Sequence, residues 1–172
     1  MIEIFQAKTH VEIEGAITVF REYEAWLGLD LCFQGFEDEL KNLPGKYAPP
    51  SGRLYLARSD GELAGCIAMR SLGDDVCEMK RLYVRKSFRG LKLGRLLIER
   101  LIDDAREIGY KRMQLDTFPP KMGKAVRLYE AYGFREIPPY YDNPNEDVLF
   151  MEKVLLPLPV NKPFEEKRQL GR

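Results

Sequence analysis

The sequence predicts a single α/β domain built on a mixed sheet. Two observations carry that reading. Strand-like and helix-like runs alternate along the chain, and one short loop, Ser87 to Arg95, joins a strand pattern (Cys77 to Val84) directly to an amphipathic helix pattern at Leu93, Leu96, Leu97, Leu101 and Ala105. The chain has 172 residues, a length at which one domain can bury ~68–70% of its unfolded surface.

Taken in order, Ile2 to Gln6 alternates as a short strand. Thr9 with Glu12 forms a capping box, and Ile13, Ala16, Ile17, Phe20 and Leu27 keep helical spacing behind it. A second short helix is expected from Phe36 to Leu43. Proline and glycine make Pro44 to Gly52 a loop. Leu54 to Ala57 and Leu63 to Met69 read as strands joined at Asp60-Gly61, a pair that tight hairpins prefer. Gly73-Asp74-Asp75 turns the chain into the strand that carries Glu78. After the central helix, Gly109 is its stop. Arg112 to Thr117 then alternates as a strand, a helix surrounds Ala125 to Tyr132, and Phe134 to Ile137 with Val148 to Val154 form a last strand pair. The domain is expected over residues 1–156, followed at 157–172 by a loose tail or docking arm rich in proline and charge.

Composition excludes several classes. Lys and Arg total 27, Asp and Glu total 27, so the formal net charge of zero gives no footprint for nucleic acid or a membrane surface. No apolar run approaches a membrane span, and Met1 to Phe5 lacks a signal peptide's basic start; a cytoplasmic protein is expected. Cys32, Cys66 and Cys77 show no C-x-x-C pairing and read as reduced, buried small side chains. His10 is the only histidine, so neither a zinc site nor a histidine-assisted nucleophile has the residues it needs, and no metal is expected.

The loop is where chemistry concentrates. A glycine-bearing loop followed at once by a helix start aims free backbone N–H groups at one point. The helix dipole adds to them, which suits an anion such as a diphosphate. Gly90 and Gly94 remove side chains where a ligand must come close, and Arg89, Lys92 and Arg95 add positive charge. The stretch is neither a P-loop nor a G-x-G-x-x-G fingerprint.

Arg89-Gly90-Leu91-Lys92-Leu93-Gly94 resembles the pyrophosphate loop [QR]-x-x-G-x-[GA] of the GNAT superfamily of acyl-CoA-dependent N-acetyltransferases. Glu78-Met79-Lys80-Arg81-Leu82-Tyr83-Val84 resembles that family's fourth strand, and Ala125 to Phe134 resembles its A-x-x-L-Y-x-x-x-G-F signature. Lys92 stands where the family most often has glycine, and Met122 where it often has an asparagine. The resemblance implies a mixed, mostly antiparallel central sheet flanked by helices, with the fourth and fifth strands splayed. It implies transfer of an acetyl group from acetyl-CoA to a primary amine, of a small molecule or a protein, through a direct ternary complex. The alternative is an acyl-CoA-binding regulatory domain without catalysis. It leaves a homodimer open.

By the same resemblance, Leu82, Tyr83 and Val84 offer main-chain bonds to the pantetheine arm and the thioester oxygen, and the segment Arg89, Gly90, Leu91, Lys92, Leu93, Gly94 and Arg95 holds the diphosphate. Tyr129 stands at the family's general acid. A tyrosine near pKa ~10 giving its proton to a thiolate of ~8.5 works uphill by about 2 kcal/mol, so hydrogen-bonding to the departing sulfur is its firmer role. A lysine-like amine is neutral only about once in 2,500 molecules at pH 7, so a base is useful. Glu78 is the candidate base, the alternative being a carboxylate that binds a cationic acceptor or pairs with Arg81; Asp116 is the substitute. Strand alternation puts residues 78, 80, 82 and 84 on one face unless a bulge intervenes. Phe33, Tyr47, Tyr140 and Tyr141 are candidates for the acceptor pocket.

Overall fold

A computed structural model describes residues 1–156; the expected tail and the side chain of Phe33 lie outside the described residues. The chain runs β1 (Ile2–Gln6), α1 (His10–Leu27), α2 (Phe36–Lys41), β2 (Arg53–Ser59), β3 (Glu62–Gly73), β4 (Val76–Val84), α3 (Leu93–Ile108), β5 (Arg112–Thr117), α4 (Pro119–Ala131), β6 (Arg135–Glu136) and β7 (Leu149–Val154). The strands form one sheet in the order β1-β2-β3-β4-β5-β7-β6. Every neighbouring pair is antiparallel except β4 and β5. The parallel pair is joined by α3, as a parallel connection requires.

Local chemistry explains the helix ends. Thr9 and Glu12 close the capping box at α1, and Gly28 ends it in the left-handed region. Gly109 does the same for α3. The last helix has a first turn at Pro119, where proline is pre-set for a helix and its missing N–H costs nothing, and then a break at Met122 (φ −113, ψ 30); the regular helix beyond it carries the apolar pattern around Ala125. Pro138 and Pro139 confine β6 to two residues.

The sheet separates two cores. Leu93, Leu97, Ile98, Leu101, Ile102 and Ala105 of α3 pack with Cys77, Met79, Leu82, Met113 and Leu115. Burying each such aliphatic side chain contributes ~1.5–3 kcal/mol. Leu96, expected on that stripe, is exposed; the buried stripe runs through Ile98 and Ile102 instead. On the opposite face, Ala16, Val19, Phe20, Tyr23 and Leu27 of α1 and Phe36 and Leu40 of α2 pack over Leu54, Leu56, Cys66 and Ala68.

One irregularity decides what points where. The β3–β4 register passes from Cys66↔Tyr83 to Ala68↔Lys80, so β4 carries one extra residue. Arg81 takes it up at φ +61, an unusual value for a residue with a side chain. Alternation therefore breaks: Glu78, Lys80 and Arg81 face the α1–α2 side, while Leu82 packs with α3 beside Met79. The expectation that 78, 80, 82 and 84 share one face is corrected by this bulge. β3 closes tightly over it; a Cβ at Gly65 would sit 2.5 Å from the Tyr83 carbonyl oxygen, so only glycine fits.

Candidate active site

The site begins as a gap in the sheet. β4 and β5 pair over only three positions, Val76↔Arg112, Cys77↔Met113 and Glu78↔Gln114. Beyond them β4 stays on β3 as far as Val84, and β5 stays on β7 as far as Thr117. The facing edges, Met79 to Val84 and Leu115 to Thr117, are thus unpaired with each other. Such edges present backbone N–H and C=O groups to an extended ligand, which can lie between them like an added strand.

The loop after β4 leads to the wide end of this gap. A short turn at Lys86–Phe88 is followed by Gly90 at φ +90 and by Lys92 at φ +61, which starts α3 without a side-chain cap. The first helical bond runs from the Leu96 N–H to the Lys92 oxygen, so the N–H groups of the first turn point outward unspent. Gly94 lies in ordinary helical backbone, and a Cβ there would meet only Leu128 at 4.0 Å. The protein's own packing therefore does not demand glycine at 94, whereas a diphosphate seated on the N–H groups would. Arg89 does not point freely outward: its Nε donates to the Val84 oxygen at 3.1 Å and its guanidinium lies 5.1 Å from the Trp26 ring centre.

Within the gap lie two small cavities sharing Tyr23, Arg81 and Asp116 as walls. The inner one adds Met79, Lys80, Leu82, Met122 and Tyr129; the outer one adds Gln34, Thr117, Phe118, Asn143 and Asn145, among others. The site is thus a gap in the sheet with an uncapped helix start near its wide end and a cavity lined by tyrosine, lysine and aspartate within it.

Comparison with known proteins agrees. Residues 18–134 match the model of the acetyltransferase (GNAT) family. An uncharacterized N-acetyltransferase of Schizosaccharomyces pombe is 42% identical over 87% of this chain and 93% of its own. The chain belongs to the GNAT acetyltransferase family. Its fold is shared with a GNAT-family acetyltransferase of Staphylococcus aureus (TM-score 0.75, 23% identity, 91% of this chain and 100% of that one) and with PaiA N-acetyltransferase of Thermoplasma acidophilum solved in complex with coenzyme A (TM-score 0.69, 19% identity, 90% and 99%).

In this acetyltransferase Tyr129 is buried, packs edge-on to Phe134 at 5.7 Å and lines the inner cavity. Burial pushes its pKa up, so the hydroxyl keeps its proton at neutral pH, and no hydrogen bond engages it among the described residues. Glu78 is 1% exposed, with both oxygens already bonded: Arg70 Nε donates at 2.8 Å to one and the Tyr140 hydroxyl at 2.6 Å to the other, with the Lys80 ammonium 3.7 Å away. Burial raises its pKa, but Lys80, Tyr140 and Arg70 together outweigh it and hold the carboxyl below its usual range. It pairs with Arg70 and not with Arg81, and it lines neither cavity. Asp116 lines both, and accepts a hydrogen bond from Tyr141, which Asn143 (2.8 Å) and Gln34 (3.3 Å) contact in turn.

Sequence reasoning missed the Glu39–Arg81 pair. The guanidinium grips both Glu39 oxygens at 3.0 and 3.1 Å, and the Tyr47 hydroxyl donates to the same carboxylate at 2.9 Å. Tyr47 is fully buried, so it belongs to this pair's support and not to the acceptor pocket. Nothing local announces the pairing, because its partners stand 42 residues apart. Among the described residues no cluster of metal-ligating side chains occurs, and no helix is long and apolar enough to cross a membrane.

Proposed function

We propose that this acetyltransferase moves an acetyl group from acetyl-CoA directly to a primary amine within a ternary complex. The observation that carries the reading is the β4–β5 gap, with the unspent N–H groups of α3 at its wide end and the hydroxyl of Tyr129 inside it. The GNAT match and a coenzyme A-bound structural relative support acetyl-CoA as the donor. The backbone from Arg89 through Gly90, Leu91, Lys92 and Leu93 to Gly94 and Arg95 would bind the diphosphate, and the free edge at Leu82, Tyr83 and Val84 would bind the arm. Acetyl-CoA supplies an activated acyl group on a thiol that can leave.

The chain's residues do the rest. Main-chain N–H groups in the gap stabilise negative charge on the acyl oxygen, where low dielectric strengthens them. Tyr129 hydrogen-bonds the departing sulfur. Of the two carboxylates, Asp116 lines the cavity, which supports it as the acceptor of the amine's proton; Glu78 lines neither cavity and has both oxygens engaged, which favours holding Tyr140 and Lys80 over accepting a proton. The test is thiol release from acetyl-CoA against a panel of primary amines. Amine-dependent release with stoichiometric N-acetyl product is expected. Tight acetyl-CoA binding without release on any amine would leave a binding domain and overturn the enzymatic reading.

A further inference from the structure

The inner cavity has more hydrogen-bond donors than its own chain uses. The Lys80 ammonium is 8% exposed and makes one hydrogen bond, to Gln34 Oε1 at 3.1 Å; its 3.7 Å approach to Glu78 is too long to be a second. Arg81, 4% exposed, spends Nε and Nη2 on Glu39 and leaves Nη1 without a partner among the described residues. Both cations line the cavity beside Tyr129. Cationic donors that face a cavity in a low-dielectric interior make strong charge-assisted hydrogen bonds to an anion placed there. The same cavity presents a single carboxylate, Asp116, which already accepts from Tyr141.

Resting on the function proposed above, we propose that the acceptor is an amine bearing its own carboxylate, an α-amino acid, whose carboxylate is read by Lys80 and Arg81 and whose amino group is held by Asp116. An ammonium and a carboxylate one carbon apart match opposite charges lining one narrow cavity. A plain alkylamine would satisfy Asp116 and leave the donors of Lys80 and Arg81 empty. The burial of Lys80 supports the same reading. Its pKa falls to about 8 because of desolvation and the neighbouring Arg81, against the pull of Glu78 and Asp116, so an anion bound beside it would favour its charged form.

The experiment compares kcat/KM of the full-length enzyme for the twenty α-amino acids, each with its α-carboxamide and its decarboxylated amine. At least one amino acid is expected to exceed both of its twins by tenfold or more. In Lys80→Met, which keeps the length of the side chain without its charge, that ratio is expected to fall at least tenfold; Lys80→Gln checks the result with a second neutral residue. Equal rates for acids and twins in the wild-type enzyme would overturn the proposal while leaving amine acetylation standing. So would a loss in both variants that is the same for all acceptors, since Lys80 would then act on the shared acyl donor. No acetylation of any amine, with acetyl-CoA still bound by calorimetry, would overturn the function itself and this inference with it.

Discussion

Tyr129 and the two carboxylates are separable by single substitutions. The Tyr129 hydroxyl holds its proton because burial raises its pKa, and its ring packs on Phe134 regardless of the oxygen. Tyr129→Phe is therefore expected to keep the fold, checked by circular dichroism, and to lower kcat by about 10²-fold or more, within the range of acid catalysis. The KM for acetyl-CoA should move far less; full turnover would reduce Tyr129 to packing. At Glu78, whose pKa is held down and whose oxygens are both bonded, Glu78→Gln is expected to raise the acceptor KM several-fold and retain the acidic limb of the pH–rate profile. Asp116→Asn is expected to flatten that limb and lower kcat. The opposite pattern would return the proton to Glu78.

At the scale of elements, the start of α3 is the anchor. Its helix needs no glycine at 94, since a Cβ there finds open space to 4.0 Å. Gly94→Val is thus expected to leave thermal stability within ~1 kcal/mol, the ordinary propensity difference in a helix. It should weaken acetyl-CoA binding at least tenfold in calorimetry, because a branched side chain would stand over N–H groups whose charge-assisted bonds are worth ~1.5–3 kcal/mol each. Unchanged affinity would mean that the diphosphate sits elsewhere.

For the molecule as a whole, Glu39 and Arg81 tie α2 to the bulge in β4 across the α1–α2 core, each about 3% exposed. Removing one member leaves a buried charge alone, so Glu39→Ala is expected to cost ~3–5 kcal/mol in urea unfolding. The pair also sets an acid limit. Burial would raise Glu39's pKa, but the bonds and charge of Arg81, with Lys46 and Tyr47, bring it down to about 2. A carboxyl whose folded pKa lies below its ordinary 4.5 contributes stability that is complete above that value and lost as pH falls toward 2. Wild-type stability should therefore drop through that window, and Glu39→Gln should show a shallower drop; equal slopes in urea titrations at several pH values would exclude this origin.

The order of elements, the capping box at Thr9, the helix stop at Gly109 and the loop from Arg89 to Arg95 were all legible along the chain, since each depends on residues within a few positions of one another. So was the place of Tyr129 on the last helix, through the signature around it. Other features depended on the tertiary structure. Periodicity assumes an unbroken register, and nothing beside Arg81 marks the positive φ that turns Glu78 and Lys80 away from Leu82. The bonds that give the carboxylates their partners join Tyr140 to Glu78, Tyr141 to Asp116 and Arg81 to Glu39 across 62, 25 and 42 residues. Local sequence determines where the backbone turns and caps; which buried charge meets which donor is decided only when distant elements pack, because the low dielectric that makes those pairings matter exists only in the folded core.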